Sequence, residues 1–425
     1  MQKTEAVHDA TQRNEAAVLR RVIATVMSVM VLSGSWLVAQ EAKPADQRPL
    51  EVTEPVMLDM ARLEANRARL RSGDTVLRAA LRSLLSRADR LLAYRPVSVM
   101  QKRELPPSGD RHDYMSVAPY WWPDTSKPGG IPYIRRDGEV NPESRQCPDK
   151  GNMPTMCANA WTLALAYHYS GRQDYAGHAA TLIRTWFLDK ATRMNPHLRY
   201  GQAVKGVVDG RAEGIIETRH LIYVLDAVSL LRGSGRWSEA DQRGLRSWFR
   251  QYLQWMETHP IGLDERSAKN NHGVWYDAQR ISFSLFVGDS TRAEDVVRQT
   301  LGRLDSQMDE RGALTDELAR TKSLHYSAFC LQAYLYVAQR AKETRTDLWH
   351  AVTPGGRSLQ KGIDFLIPYL SGQKAWAWRQ IDAIRPAQTY GMLWPAGAYF
   401  GRTDCFAILR TDAGPTFEAS VLRLL

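Results

Sequence analysis

Four short clusters in this sequence gather side chains that move protons or hold anions. Asn270-Asn271-His272 follows the polar stretch from Asp264 to Lys269 and precedes the apolar run Gly273-Val274-Trp275-Tyr276. That order puts two amides and an imidazole at a helix N-terminus, where unpaired N–H groups and the helix dipole favour an anion. The plainer reading is an Asn-Asn helix cap. Glu317-Leu318-Ala319-Arg320-Thr321 is followed by His325 and Tyr326 at the head of another apolar run. Arg320 and Tyr326 are six residues apart, roughly 240° around a continuous helix. They share a site only if the helix starts after Thr321, with Thr321 and Ser323 available as caps; otherwise Arg320 is a structural partner of Glu317. Glu217, Arg219 and His220 head a third apolar helix and read, taken alone, as a structural ion pair. The last cluster is Tyr120-Trp121-Trp122, with Arg135 and Arg136 downstream. Rings on a loop offer flat faces to sugar C–H groups, and guanidiniums meet carboxylates. Alternatively the rings fold over the core and plug it.

Asn, His, Arg and Tyr together, without zinc-like Cys or His spacing or a nucleophilic Ser or Cys motif, suit β-elimination at a uronate. The sugar carboxylate must be neutralised so that the C5 proton becomes acidic; a base removes that proton and an acid protonates the departing O4. Asn, Arg or a protonated His supplies the clamp, and Tyr and His supply proton transfer. In β-D-mannuronate and β-D-glucuronate, H5 and O4 share a face, so one Tyr can serve as base and then acid. Two rivals stand beside this reading. A glycoside hydrolase would use two carboxylates across the scissile bond, and Glu217, Asp226, Asp316 and Glu317 are available. A non-catalytic polyuronate-binding protein would keep the Trp platform and dispense with Tyr326.

The elements that must position these residues read as helices. Between Asp74 and Tyr94, Leu77, Leu81, Leu84, Leu85, Ala88 and Leu92 form one stripe, with Asp74 as N-cap. Similar patterns recur near 155–169, 174–188, 214–232, 239–257, 273–287, 292–308, 323–341 and 357–370. Alternation of period two is scarce apart from the last 25 residues, around Cys405 to Leu409. Short connections between about ten helices imply antiparallel hairpins, and the lack of a fixed repeat disfavours a solenoid. An all-α fold, as a bundle or an α/α toroid, is expected. Pro106 to Asp149 stands apart as a long aromatic loop, too rich in rings for disorder.

The chain has 425 residues with a formal net charge of +10. The first 39 residues hold four Lys/Arg and three Asp/Glu, so about +9 remains without them. A basic chain suits an anionic partner; its cations are scattered, unlike a nucleic-acid arm, so no nucleic acid is expected. Arg20 and Arg21 precede an apolar stretch from Val22 to Ala39, which reads as an export signal cut near Ala39. The alternative is a membrane anchor, at the lower limit of spanning length. The expected organisation is a signal at 1–39, a linker at 40–55 and a single domain at 56–425, periplasmic or secreted, with no stable membrane association after signal removal. Four cysteines are too few for a disulfide scaffold, though Cys147 and Cys157 could pair in an oxidising compartment, and Cys330 reads as a buried small hydrophobe.

Tyr114-Met115-Ser116-Val117-Ala118-Pro119-Tyr120-Trp121-Trp122-Pro123-Asp124, continuing through Gly130 to Pro142, resembles the signature of the alginate lyase domain superfamily. So do Thr192-Arg193-Met194-Asn195-Pro196, Gly214-Ile215-Ile216-Glu217-Thr218-Arg219-His220, Asn270-Asn271-His272 and Glu317-Leu318-Ala319-Arg320-Thr321, together spanning about residues 55 to 400. The resemblance implies an α/α toroid with a tunnel or cleft, no cofactor, and an acidic polysaccharide substrate. Its catalytic set falls on Asn271, His272, Arg320 and Tyr326. Asn270, Tyr120, Trp121, Trp122, Arg135, Arg136, Glu217, Arg219, His220 and His325 are then expected to bind substrate. The short Arg-to-Tyr spacing looks more like the glucuronan and alginate lyases of polysaccharide lyase family 38 than the mannuronate lyases of family 5. An upstream carboxylate-neutralising Asn found in some relatives has no counterpart near Val207 to Gly210, leaving Glu217, Arg219 or His220 to take part of that role.

Overall fold

The computed structural model describes residues 57–425 apart from 415, 416, 418 and 419. The expected signal and linker lie outside the described residues. Among the described residues no helix is long and apolar enough to cross a membrane.

The fold is an all-α toroid built from α1 (Met60–Arg71), α2 (Thr75–Leu91), α3 (Asp149–Ser170), α4 (Gln173–Phe187), α5 (Ile222–Leu231), α6 (Glu239–Thr258), α7 (Pro260–Ser267), α8 (Asn271–Val287), α9 (Ser290–Gln307), α10 (Thr315–Leu318), α11 (Ser323–Ala341), α12 (Leu359–Leu370), α13 (Tyr390–Phe400) and α14 (Thr403–Ala413). Chain neighbours pack as hairpins, α3 on α4, α8 on α9 and α13 on α14, while α8 also packs on α6 and α11. Helix starts follow side-chain chemistry. Asp74 accepts a hydrogen bond from Leu77 N at 2.9 Å, and Ser238 with Asp241 closes a capping box at the head of α6. α2 buries Leu77, Ala80, Leu84 and Ala88 on one stripe, whereas α8 is buried continuously from Gly273 to Ser284. A helix buried on all sides belongs in the interior, so α8 is an inner helix of the domain, packed between α6, α9 and α11.

Two small sheets build the aromatic segment. β1 (Met115–Val117) pairs in parallel with β4 (Tyr200–Ala203), and β2 (Trp121–Trp122) pairs antiparallel with β3 (Ile134–Arg135), Trp121 opposite Arg135. The segment expected to be a long loop is therefore pinned at both ends of its aromatic run.

Three local expectations need correction. Residues 212–221 form a 3-10 helix, with α5 beginning only at Ile222, so the expected helix at 214–232 is two elements. Cys405 to Leu409 lies inside α14; Cys405, Ile408 and Leu409 are buried at helical spacing. Cys147 and Cys157 are free thiols: Cys147 Sγ contacts Met115 O at 3.1 Å and Cys157 is fully buried. Cys330 is buried as expected.

Candidate active site

α10 ends at Leu318 and α11 begins at Ser323, so the helix breaks between Glu317 and Tyr326. In that turn the Arg320 guanidinium lies 3.8 Å from the centre of the Tyr326 ring. The expected caps do not form. Thr321 Oγ1 instead donates to Asp137 (2.9 Å to Oδ2, 3.1 Å to O), and Ser323 Oγ donates to Arg379 O at 2.7 Å. Arg320's carboxylate partner is Asp137, at 2.9 Å, while Glu317 accepts from Asn271. Asp137 sits just beyond β3, so the aromatic hairpin delivers it. The same hairpin brings the Tyr120 hydroxyl to 2.7 Å from the Tyr326 hydroxyl.

Tyr326 is 7% exposed. Burial pushes its phenol far above the ordinary value, Tyr120 adds to the rise, and the Arg320 cation opposes it. Asp137 behaves oppositely: burial would raise its carboxyl, but Arg320 and Thr321 hold it well below the usual carboxylate range.

Asn270 caps α8, its Oδ1 accepting from His272 N at 3.0 Å. Asn271 is fully buried; its backbone N–H donates to Glu317 Oε1 at 2.5 Å and its Nδ2 contacts both Glu317 oxygens at 3.0 and 3.1 Å. That leaves Asn271 Oδ1 buried without a hydrogen-bond partner among the described residues, so its amide nitrogen faces Glu317 and its acceptor is the unengaged end. His272 Nδ1 lies 2.8 Å from Glu265 Oε1, and Glu265 is 1% exposed. Burial disfavours the charged imidazole, but Glu265 overrides it and raises the pKa; burial likewise raises the Glu265 carboxyl. The turn carrying these residues is fixed from α9. Arg303 donates to Ala268 O (2.6 Å), Arg266 O (2.9 Å) and the fully buried Asp277 (2.8 Å). A Cβ on Gly273 would lie 2.2 Å from Ala268 O, so only glycine fits there. The two clusters adjoin, because Glu317 feels the charges of both Arg320 and His272.

The remaining expected residues divide. Arg135 is exposed and pairs with Asp137 at 2.9 Å; the Arg136 guanidinium lies 5.3 Å from the Trp122 ring, whose Nε1 donates to Glu139 O. Trp121 packs against Ala118, Tyr133 and Val204, so this ring is half plug, half platform. His325 stacks on Phe329 at 5.9 Å, and Arg219 lies 5.2 Å from the same Phe329 ring. Glu217 and His220 are core residues. Glu217 accepts from Tyr114 (2.8 Å) and Ser116 (2.6 Å), and its ion pair is with Lys150 at 3.3 Å, not with Arg219. His220 is buried with its ring 6.1 Å from that of Tyr223.

Sequence reasoning missed Arg211. It donates to Glu213 (2.7 Å) and Gln202 Oε1 (3.0 Å), lies 5.8 Å from the Trp121 ring, and has its Nε buried without a hydrogen-bond partner among the described residues. Its charge acts on Glu265, while Glu213 acts on His272, which places the Arg211–Glu213 pair beside the His272–Glu265 pair. Gln202 adopts φ 51° to aim its amide there, a left-handed conformation that costs a non-glycine residue about 1 kcal/mol or more. Close approach of β4 to the 3-10 helix depends on Gly214, where a Cβ would lie 2.7 Å from Gly201 backbone. No motif marks Arg211; only the pairing of β1 with β4 brings it in.

The hydrolytic rival loses its carboxyl pair. Glu217 and Glu317 are engaged as above, Asp226 is buried against Arg340 at 2.5 Å, and Asp316 is exposed. Among the described residues no three His, Cys, Asp or Glu side chains converge as metal ligands. The sequence profile of the family described as Alginate lyase matches residues 98–376. The chain belongs to the alginate lyase family. It is similar to the crystal structure of an alginate lyase from Bacteroides ovatus, with 35% identity over 86% of this chain and 96% of that one and a TM-score of 0.80. Alginate lyase A1-III from Sphingomonas species A1 shares the fold at 18% identity, with a TM-score of 0.53 over 90% of this chain and 98% of that one. A histidine-to-alanine variant of A1-III complexed with a tetrasaccharide matches at 17% identity, with a TM-score of 0.54 over 88% and 98%. No curated protein sequence matches the chain. This alginate lyase family member is a polysaccharide lyase with a polysaccharide partner.

Proposed function

We propose that this lyase cleaves a polymer of β-D-uronate residues, mannuronan or glucuronan, by β-elimination, with Tyr326 as the group that takes the C5 proton and returns it to O4. The observation that carries the reading is the Arg320 guanidinium over the ring of a buried tyrosine, 3.8 Å from its centre. Burial makes the phenolate costly, and the Arg320 cation stacked on the ring offsets part of that cost. Arg211 and His272 neutralise the sugar carboxylate, Glu265 raising the His272 imidazole toward its charged form. With that charge offset, the C5–H bond electrons move into the C4–C5 bond as the C4–O4 bond breaks. Tyr326 first releases its phenol proton to solvent; as the phenolate, its Oη then takes the C5 proton and passes it to the departing O4, leaving an unsaturated uronate at the new non-reducing end. Because H5 and O4 share a face in β-D-uronates, one hydroxyl suffices.

Family relatives support the reading. In A1-III, a histidine variant and a tyrosine-to-phenylalanine variant were both complexed with a tetrasaccharide. The two altered positions are separated in that chain by as many residues as His272 and Tyr326 are here. The N-terminal segment supports export to the periplasm or beyond.

The test incubates the purified protein with polymannuronate, polyguluronate and glucuronan and follows ultraviolet absorbance of the C4–C5 double bond. Absorbance should rise with the β-D-uronate polymers and lag on polyguluronate. Chain shortening without that absorbance would replace elimination by hydrolysis, and binding without shortening would make the protein a lectin.

A further inference from the structure

A second concentration of positive charge lies outside the catalytic cluster, where α1 and α2 meet α13, α14 and the C-terminal turn. Arg62, Arg69, Arg410 and Arg423 surround a cavity of about 240 Å³ that includes Trp394 and Phe406. No carboxylate lines it among the described residues. Asp74 offsets Arg69, so the field that low-dielectric walls focus on whatever enters comes chiefly from Arg62 and Arg410.

The walls are organised. Asn66, 6% exposed, donates from Nδ2 to Leu424 O at 3.2 Å and accepts from Arg69 at 3.3 Å, so one amide joins α1 to the end of the chain while orienting a guanidinium. Asp74 holds Arg69 from the other side at 2.7 Å. Arg62 lies 5.8 Å from the Trp394 ring, which meets Phe406 edge to face at 5.4 Å. Arg410 and Arg423 both lie over Phe417, at 5.9 and 5.7 Å. Planar guanidiniums match carboxylates bidentately. Trp394, 7% exposed, and Phe406 give the cavity an apolar edge, which a bare inorganic anion does not need and a sugar's C–H face does.

We infer that this cavity is a second, non-catalytic binding site for a uronate residue of an oligosaccharide, its carboxylate held by Arg62 and Arg410 and its ring against Trp394. The choice of uronate rests on the proposed function, since it makes polyuronate the anion the protein meets.

Calorimetric titration of a saturated mannuronate trisaccharide into the full-length Tyr326→Phe protein tests this. The expected stoichiometry is two per chain, falling to one when Arg62→Gln and Arg410→Gln are added, with the melting temperature retained. In the otherwise wild-type protein, the same two substitutions should leave turnover of a short substrate unchanged. The single Arg410→Gln variant, altered at an exposed position, should weaken only the second site and guards against misfolding of the double variant. One site in every variant would overturn the inference, as would binding of inorganic phosphate in the cavity with no competition from the trisaccharide. Two-site binding by the Tyr326→Phe protein, with no unsaturated product from the wild-type protein on any of the polymers, would sink the proposed function and leave this inference standing.

Discussion

Tyr326 holds its proton under opposing pressures, burial and Tyr120 raising the phenol and Arg320 lowering it. Tyr326→Phe keeps the ring under Arg320 and removes only the hydroxyl oxygen that takes up and returns the proton. The turnover number should fall at least 10²-fold, the low end of what a positioned acid-base group supplies, while KM and oligosaccharide binding change little; near-normal turnover would assign proton transfer to another group. His272 gives a test in pH. Glu265 raises the imidazole against burial, so the charged ring persists to higher pH than an ordinary histidine. The stability this pair contributes is present below the unfolded histidine's pKa and is lost as pH rises through the folded value. Glu265→Gln removes the main source of the rise, and the alkaline limb of the kcat/KM profile should move to lower pH. A limb that stays in place would mean that His272 works uncharged. Arg211→Ala should raise KM for polymer several-fold more than it lowers the turnover number, because a carboxylate contact already made in the ground state is lost.

The hairpin of β2 and β3 is the element that completes the site, and its anchor is Asp137 on Arg320 and Thr321. Asp137→Ala frees Arg320 from its carboxylate and the hairpin from the α10–α11 turn. The expected result is a lower kcat/KM with a change in unfolding free energy of no more than about 1–3 kcal/mol, the range for one charge-assisted hydrogen-bond partner. Unchanged kinetics would show that Arg320 needs no such tether. The sequence displayed the helices because burial of one stripe leaves a period, as at Leu77, Leu84 and Ala88, and it displayed the break after Arg320 because a continuous helix would separate two residues of one motif. It hid α14, where Cys405 to Leu409 is an unbroken apolar run that fits strand or helix equally. Pairings between distant segments were hidden too: Glu317 on Asn271 and Asp137 on Arg320 are each satisfied in space and leave no spacing rule, and Glu265 reaches His272 only across the turn between α7 and α8. Arg211 was overlooked for the same reason, since it is held by contacts with Gly201 and Gln202 of β4.

At the scale of the whole molecule the charge is the feature that meets the substrate first. The sequence carries +10, part of it gathered at the Arg62–Arg410 cavity, whereas in the active site Arg320, Arg211 and His272 each face a carboxylate. A field of this kind accelerates encounter with a polyanion and is screened by salt, since the Debye length shrinks from about 10 Å at 0.1 M to about 3 Å at 1 M. Proton transfer inside the buried site is shielded from that screening. Raising ionic strength over this range should therefore depress kcat/KM on polymer while leaving the turnover number nearly constant. A trisaccharide, with fewer carboxylates to be steered, should show the shallower dependence. Parallel slopes for polymer and trisaccharide would confine the electrostatics to the catalytic pocket, and a flat kcat/KM for both would remove charge steering from the enzyme's action altogether.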